Sequence, residues 1–152
     1  MSSTYCKKVT SHRVRKLRPN DRSSICCKLT KATDKARDKE VCVGLSIEYA
    51  VDRIMGDPNS VILDESYLVC YSVVEPWYKD YGVVVERLVL KLDNTSSFDV
   101  VCEFLEDVAR EHGCNAIVSG GALAVKTKAL KHLYEKHGFV EEDSPTFIKR
   151  VD

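Results

Sequence analysis

No apolar run in this chain approaches the roughly 18 residues that a membrane-spanning helix needs. The opening stretch, MSSTYCKKVTSHRVRKLRPND, also lacks the apolar segment of a secretory signal. A soluble, cytoplasmic protein with no membrane partner is expected. None of the seven cysteines (Cys6, Cys26, Cys27, Cys42, Cys70, Cys102, Cys114) forms a Cys-x-x-Cys pair, and no Cys/His cluster has finger-like spacing. Structural zinc is therefore not expected, and the thiols read as free, several of them buried as small hydrophobes. With only seven glycines and four prolines, and with neither a repeat nor a low-complexity tract, collagen-like and largely disordered readings fail.

What is present suits one domain: 152 residues, 44% hydrophobic and 30% charged. Residues 1–11 read as a flexible tail and 12–152 as the domain. The formal net charge is zero, but its signs are segregated. Residues 1–40 carry 12 bases against four acids, and the remainder carries 11 against 19. A basic first quarter attracts phosphate, whether of nucleic acid or of a cofactor, or else forms a solvated helix face beside an acidic body.

Periodicity divides the chain into ten elements. His12–Leu17 reads as a short strand closed by Pro19, and Asn20-Asp21 as the start of a helix burying Ile25, Cys26 and Leu29. The longest polar stretch, Thr30 to Glu40, separates this helix from the next. There Ile47, Ala50, Val51, Ile54 and Met55 share a helical stripe, with Ser46 as N-cap and Gly56 and Pro58 as terminators. Ser60–Asp64, Tyr67–Val74 and Gly82–Leu92 form an antiparallel meander, the first two joined by a tight Glu65-Ser66 turn.

After Leu92 the period becomes helical, with Phe98, Val101, Cys102, Leu105, Val108 and Ala109 on one stripe ending at Gly113. Asn115–Ser119 is a short strand. Lys126–His137 is a helix with Ala129, Leu130, Leu133 and Tyr134 inward, stopped by Gly138. Thr146–Val151 alternates as a last strand, which either pairs across a homodimer or stays capped in a monomer. The fold class is α/β on a mixed, mostly antiparallel sheet.

Three places offer chemistry. Strict alternation puts Glu86 on a face with Val84, Leu88, Leu90 and Leu92, where a carboxylate either pairs with a neighbouring Lys or Arg or has the raised pKa of a general base. Tyr134 is the second candidate, at the end of a short helix that breaks at glycine, and by itself it reads as a core residue with a satisfied hydroxyl. Asn94 to Ser97, leading into a helix N-terminus, offer backbone N–H groups to phosphate, as any helix end does. His112 and His137, each just before a glycine, read as favourable charges at helix C-termini. Trp77 and Tyr78 read as a cap on the core, with a substrate mouth as the other option.

The order of elements and the segment KALKHLYEKHGF (residues 128–139) resemble the GCN5-related N-acetyltransferase (GNAT) family, from about Arg15 to Val151, with Val14–Asp21 similar to its opening strand and turn. The resemblance implies a splayed central parallel strand pair flanked by helices. Acetyl-CoA enters the gap, its pantetheine pairing with strand four along Glu86–Leu92, here Leu88, Val89 and Leu90. It further implies Glu86 as general base and Tyr134 as general acid for an amine acceptor, with Ser119 lining the far side of the gap and given no role. The family's glycine-rich pyrophosphate loop is replaced by Asn94, Thr95, Ser96 and Ser97, a degenerate loop similar to that of some phage-encoded members, in which the helix end and hydroxyls would hold phosphate. Asp99 would repel it unless turned away. The expected activity is acetyl-CoA-dependent N-acetylation of a primary amine. The alternative is a catalytically inactive module binding an acidic protein or nucleic acid through the basic N-terminal region.

Overall fold

The computed structural model describes residues 13–38, 42, 44–78, 80–120, 127–142 and 147–151. The expected tail and His12 lie outside them, as do Lys126 and Thr146. Strand β1 (Val14–Lys16) leads through a 3-10 turn at Pro19–Asp21 into helix α1 (Arg22–Lys35). Then come α2 (Ile47–Gly56), β2 (Ser60–Leu63), β3 (Tyr67–Val74), β4 (Val83–Lys91), α3 (Asp99–Glu111), β5 (Ala116–Val118) and α4 (Thr127–Lys136). The five strands form one sheet in the order β1-β2-β3-β4-β5. Neighbours are antiparallel except β4 and β5, which run parallel.

The sheet has apolar residues on both faces, which explains why β2 is buried at all four positions instead of alternating. Val61, Leu63, Tyr67, Val69 and Val84 pack against Val101, Phe104, Leu105, Val108 and Ala109 of α3. On the opposite face Ile62, Leu68, Cys70 and Leu90 meet Ile25 and Leu29 of α1 and Val51 and Ile54 of α2. Ser46 caps α2 as its sequence indicates, accepting the Tyr49 N–H at 3.3 Å.

Four expectations are corrected. Helix α1 runs six residues into the polar stretch, Thr30 to Lys35, because Thr30 and Thr33 return their hydroxyls to the carbonyls of Cys26 and Thr30 and Thr33 is buried. The β2–β3 turn bends at Asp64 and Glu65 (φ 48° and 55°), one residue earlier than read. Asp64 holds it by accepting the Arg13 N–H at 2.6 Å. Ala129 is exposed on α4. Residues 147–151 form no strand, and Phe147, Ile148 and Val151 are exposed. Alternation supplies a preference for extended backbone, but a strand also needs an edge to pair with, and among the described residues no strand pairs with this segment.

Candidate active site

Strand β4 is the hinge of the site. It pairs with β3 along its whole length, yet with β5 only where Val83, Val84 and Val85 face Ala116, Ile117 and Val118. Beyond Val85 the two strands form no further pair among the described residues, leaving one backbone edge of β4 from Glu86 onward without a strand partner there. Leu88, Val89 and Leu90 lie on this unpaired stretch. Their outward amides and carbonyls are the kind of edge to which an extended amide chain adds as another strand.

A bulge sets the direction of the side chains. Cys70 faces Leu88 and Tyr71 faces Glu86, so Arg87 is an extra residue without a partner on β3. The extra residue reverses the alternation. Val84 and Val89 pack on the α3 side, whereas Leu88 and Leu90 pack on the α1/α2 side. Glu86 therefore does not share a face with Leu88, Leu90 and Leu92, as strict period-two alternation had it. It is buried at 7% exposure, and among the described residues its bonding partners are the neutral hydroxyls of Tyr134 and Ser119. A cation from a neighbouring strand, the other option left by the sequence, is not what holds it.

Tyr134 arrives from the last turns of α4. Its Oη donates to Glu86 Oε2 at 2.6 Å. Phe98 and Phe139 clasp its ring edge-on, with centroids 5.2 and 5.0 Å away. Phe139 can do so because Gly138 takes φ +83°, turning the chain back so that the Phe139 N–H reaches the Tyr134 carbonyl at 3.1 Å. Ser119 follows the end of β5, level with Glu86 because Val118 faces Val85. Its hydroxyl donates to Glu86 Oε2 and lies 2.5 Å from Tyr134 Oη. The sequence brings this serine to the gap but shows no reason to give it a role, which depends on the parallel register.

The electrostatics follow from burial. Loss of water pushes the Glu86 carboxyl above its ordinary value, partly offset by the Tyr134 hydrogen bond. Tyr134 is raised by burial first, then by the charge and hydrogen bond of Glu86. Behind them Cys102 of α3 is fully buried, its thiol pushed up to about 12 chiefly by burial. It is an inert hydrophobe rather than a nucleophile.

The loop before α3 is tied down by its own hydroxyls. Thr95 Oγ1 is 2.7 Å from Ser66 Oγ, Ser96 donates to Asp64 Oδ2 at 3.0 Å, and Ser97 to Asp99 Oδ2 at 3.1 Å. Asp99 is turned toward α4, with Oδ1 2.6 Å from His137 Nε2 and 3.5 Å from Lys136 Nζ. The His137 contact, then Ser97, holds its carboxyl below the usual range. The residue most hostile to a phosphate thus already has the Lys136 ammonium beside it, and His137 contacts it in addition to ending a helix. The hydroxyls of Thr95, Ser96 and Ser97 are thus all engaged within the protein.

Cavities flank the sheet among the described residues. One of about 500 Å³ lies beside the bulge on the α1/α2 side, where Arg87 bridges to Asp57. Another of about 390 Å³ lies between the end of α3, β5 and the chain after α4. Trp77 does not cap the core as expected. It is 94% exposed and stacks edge-to-face with Tyr78 at 5.3 Å, because the turn after β3 carries both rings beyond the sheet.

No family model matches this sequence, and no curated protein does. Solved structures do match in fold. A possible acetyltransferase from Clostridium difficile 630 superposes with a TM-score of 0.68 at 12% identity, over 93% of this chain and 98% of that one. A ribosomal-protein-alanine N-acetyltransferase from Brucella melitensis biovar Abortus 2308 gives 0.65 at 11% identity, over 93% and 100%. The aminoglycoside N-acetyltransferase AAC(6′)-Iy, complexed with the bisubstrate analogue CoA-S-monomethyl-acetylneamine, gives 0.59 at 12% identity, over 93% and 99%. The mixed α/β fold with its single parallel strand pair is the fold of these acetyltransferases.

Proposed function

We propose that this chain is a GNAT-type N-acetyltransferase that moves an acetyl group from acetyl-CoA to a primary amine by direct attack. The observation that carries the reading is Glu86: a buried carboxylate, bonded by neutral hydroxyls and sited where β4 and β5 part. A structural ion pair would have a cation there. A general base has the opposite need, a carboxyl whose pKa lies nearer neutrality than its ordinary value.

When bound, acetyl-CoA supplies an activated thioester. The rest falls to the protein. The β4 edge at Leu88, Val89 and Leu90 orients an extended amide chain, and the backbone of Asn94 to Ser97 at the start of α3 holds the phosphates. Glu86 removes a proton from the acceptor nitrogen, which must be neutral to attack. Tyr134, with its pKa raised, stays protonated at working pH and can give its hydrogen to a departing thiolate. The fold neighbours that act on aminoglycosides and on a ribosomal-protein alanine support an amine acceptor, and the CoA and CoA-analogue complexes of AAC(6′)-Iy support the cosubstrate. The binding-module alternative is set aside, since part of the basic surplus is neutralised within the fold, Arg15 by Asp21 and Glu65 and Arg22 by Asp52.

Calorimetric titration with acetyl-CoA, with CoA and desulfo-CoA as comparisons, tests the reading. Saturable binding is expected at micromolar to sub-millimolar affinity, followed by acetylation within a panel of amines. Absence of both heat and thermal shift at millimolar cosubstrate would overturn it.

A further inference from the structure

Glu86, Tyr134 and Ser119 form a closed triangle of hydrogen bonds, and its third corner has no assigned role. Ser119 Oγ contacts both Glu86 Oε2 and Tyr134 Oη, while Tyr134 itself donates to Glu86 at 2.6 Å. Base and acid are therefore joined twice, once directly and once through the serine. The direct link is of the wrong kind for acid catalysis, because the phenolic hydrogen points at the carboxylate. To serve a leaving group the phenol must turn that hydrogen away and give up the direct bond. A serine hydroxyl rotates freely about its own C–O bond and both donates and accepts, so the second link survives the turn.

We propose that Ser119 relays to Tyr134 the proton that Glu86 takes from the acceptor, so that one proton passes within the site from nitrogen to sulfur. This rests on the acyl-transfer reading above. An ammonium and a thioester yield an amide, a thiol and one free proton, so the nitrogen sheds two protons. The first leaves to water before attack. As the N–C bond forms, Glu86 takes the second. As the C–S bond breaks, Tyr134 gives its phenolic proton to sulfur, Ser119 donates its own proton to the phenolate, and Glu86 replaces the serine's. All three side chains end as they began. Among the described residues, titratable or hydroxyl groups face this carboxyl from Ser119 after β5, Tyr134 of α4, Cys102 of α3, whose thiol stays protonated, and Tyr71, its cross-strand partner on β3.

Two measurements test the relay. In the ligand-free protein, infrared titration follows the Glu86 carboxyl band, identified by its loss in Glu86→Gln. Removing a donor from the carboxylate in Ser119→Ala raises its midpoint by about one pH unit, and Ser119→Thr leaves it near wild type. In turnover with an amine from the acceptor panel, Ser119→Ala lowers kcat about tenfold or more while KM for acetyl-CoA stays within about twofold, and Ser119→Thr restores the rate. The solvent proton inventory, curved in the wild type, becomes linear in Ser119→Ala.

An alanine variant with wild-type midpoint, kcat and curvature defeats the relay. If Glu86→Gln and Tyr134→Phe are crippled beside it, only the relay fails; if they too turn over normally, the base and acid assignments fail instead. Should Ser119→Ala not fold, Ser119→Cys carries the comparison, since a thiol of similar size is a weak donor and should behave as alanine does.

Discussion

Tyr134 donates its phenolic hydrogen to Glu86 across 48 residues of sequence, at 2.6 Å, one residue past the last of the three pairs that β4 makes with β5. The bond explains why a lone carboxylate is tolerated in an apolar sheet. It also makes the two residues one titrating unit, so that a change in either is felt by both.

Tyr134→Phe keeps the ring that Phe98 and Phe139 hold and removes the hydroxyl. Turnover is expected to fall by about 10²- to 10³-fold, with acetyl-CoA affinity by calorimetry unchanged within about twofold. Lost affinity with intact turnover would contradict the role.

Glu86 should impose a stability cost at neutral pH. Its folded pKa lies above its unfolded value near 4.3, so the native state binds the extra proton and stability falls as pH rises through that window. Glu86→Gln is expected to raise Tm at pH 7, with the advantage shrinking as pH drops below about 4. The same variant should lose the acid limb of the kcat/KM profile, which in the wild type rises as Glu86 ionises. A lower Tm at pH 7 would show that the carboxylate is structural.

Asp21 has the opposite sign. Arg15 grips it with two nitrogens, at 2.7 and 2.8 Å, and holds its carboxyl below the usual range. Its contribution is present above the unfolded pKa near 3.9 and lost as pH falls through the lower folded value. Asp21→Asn should cost about 1–2 kcal/mol in urea unfolding at pH 7 and much less near pH 3.

Gly82 stands at the closed end of the parallel pair. A Cβ there would lie 3.0 Å from Cys114 Sγ. Gly82→Ala is expected to destabilise by about 1–2 kcal/mol, and Cys114→Ala in the same chain to recover most of that loss in a double-mutant cycle. Additive losses would show that the thiol is not the obstacle.

Asp99 fastens the start of α3 to the end of α4 through His137. Asp99→Ala should speed hydrogen exchange of the α4 amides while leaving those of β3 unchanged. Equal protection in both would mean that the pair is incidental.

Much of the fold was legible along the chain. The 3.6-residue stripes of α2 and α3, the Ser46 cap and the β2–β3–β4 meander depend on neighbours within one turn or one hairpin, where local preference and pattern coincide. The failures share a physical cause. A bulge is one residue of mismatch between two strands, so the reversal of faces at Arg87 leaves no trace in β4 alone. The last strand failed for the complementary reason, having the pattern without the partner.

The amino-acid sequence by itself determined which groups were available: one carboxylate in an aliphatic strand, one tyrosine before a helix-stopping glycine, and a loop of hydroxyls in place of glycines. Tertiary structure alone decided that Glu86, Tyr134 and Ser119 meet at one oxygen and that Asp99 faces His137. Propensity and periodicity act over a few residues, whereas hydrogen bonds between residues 33 to 48 apart are set by strand register and helix docking, which only the assembled sheet specifies.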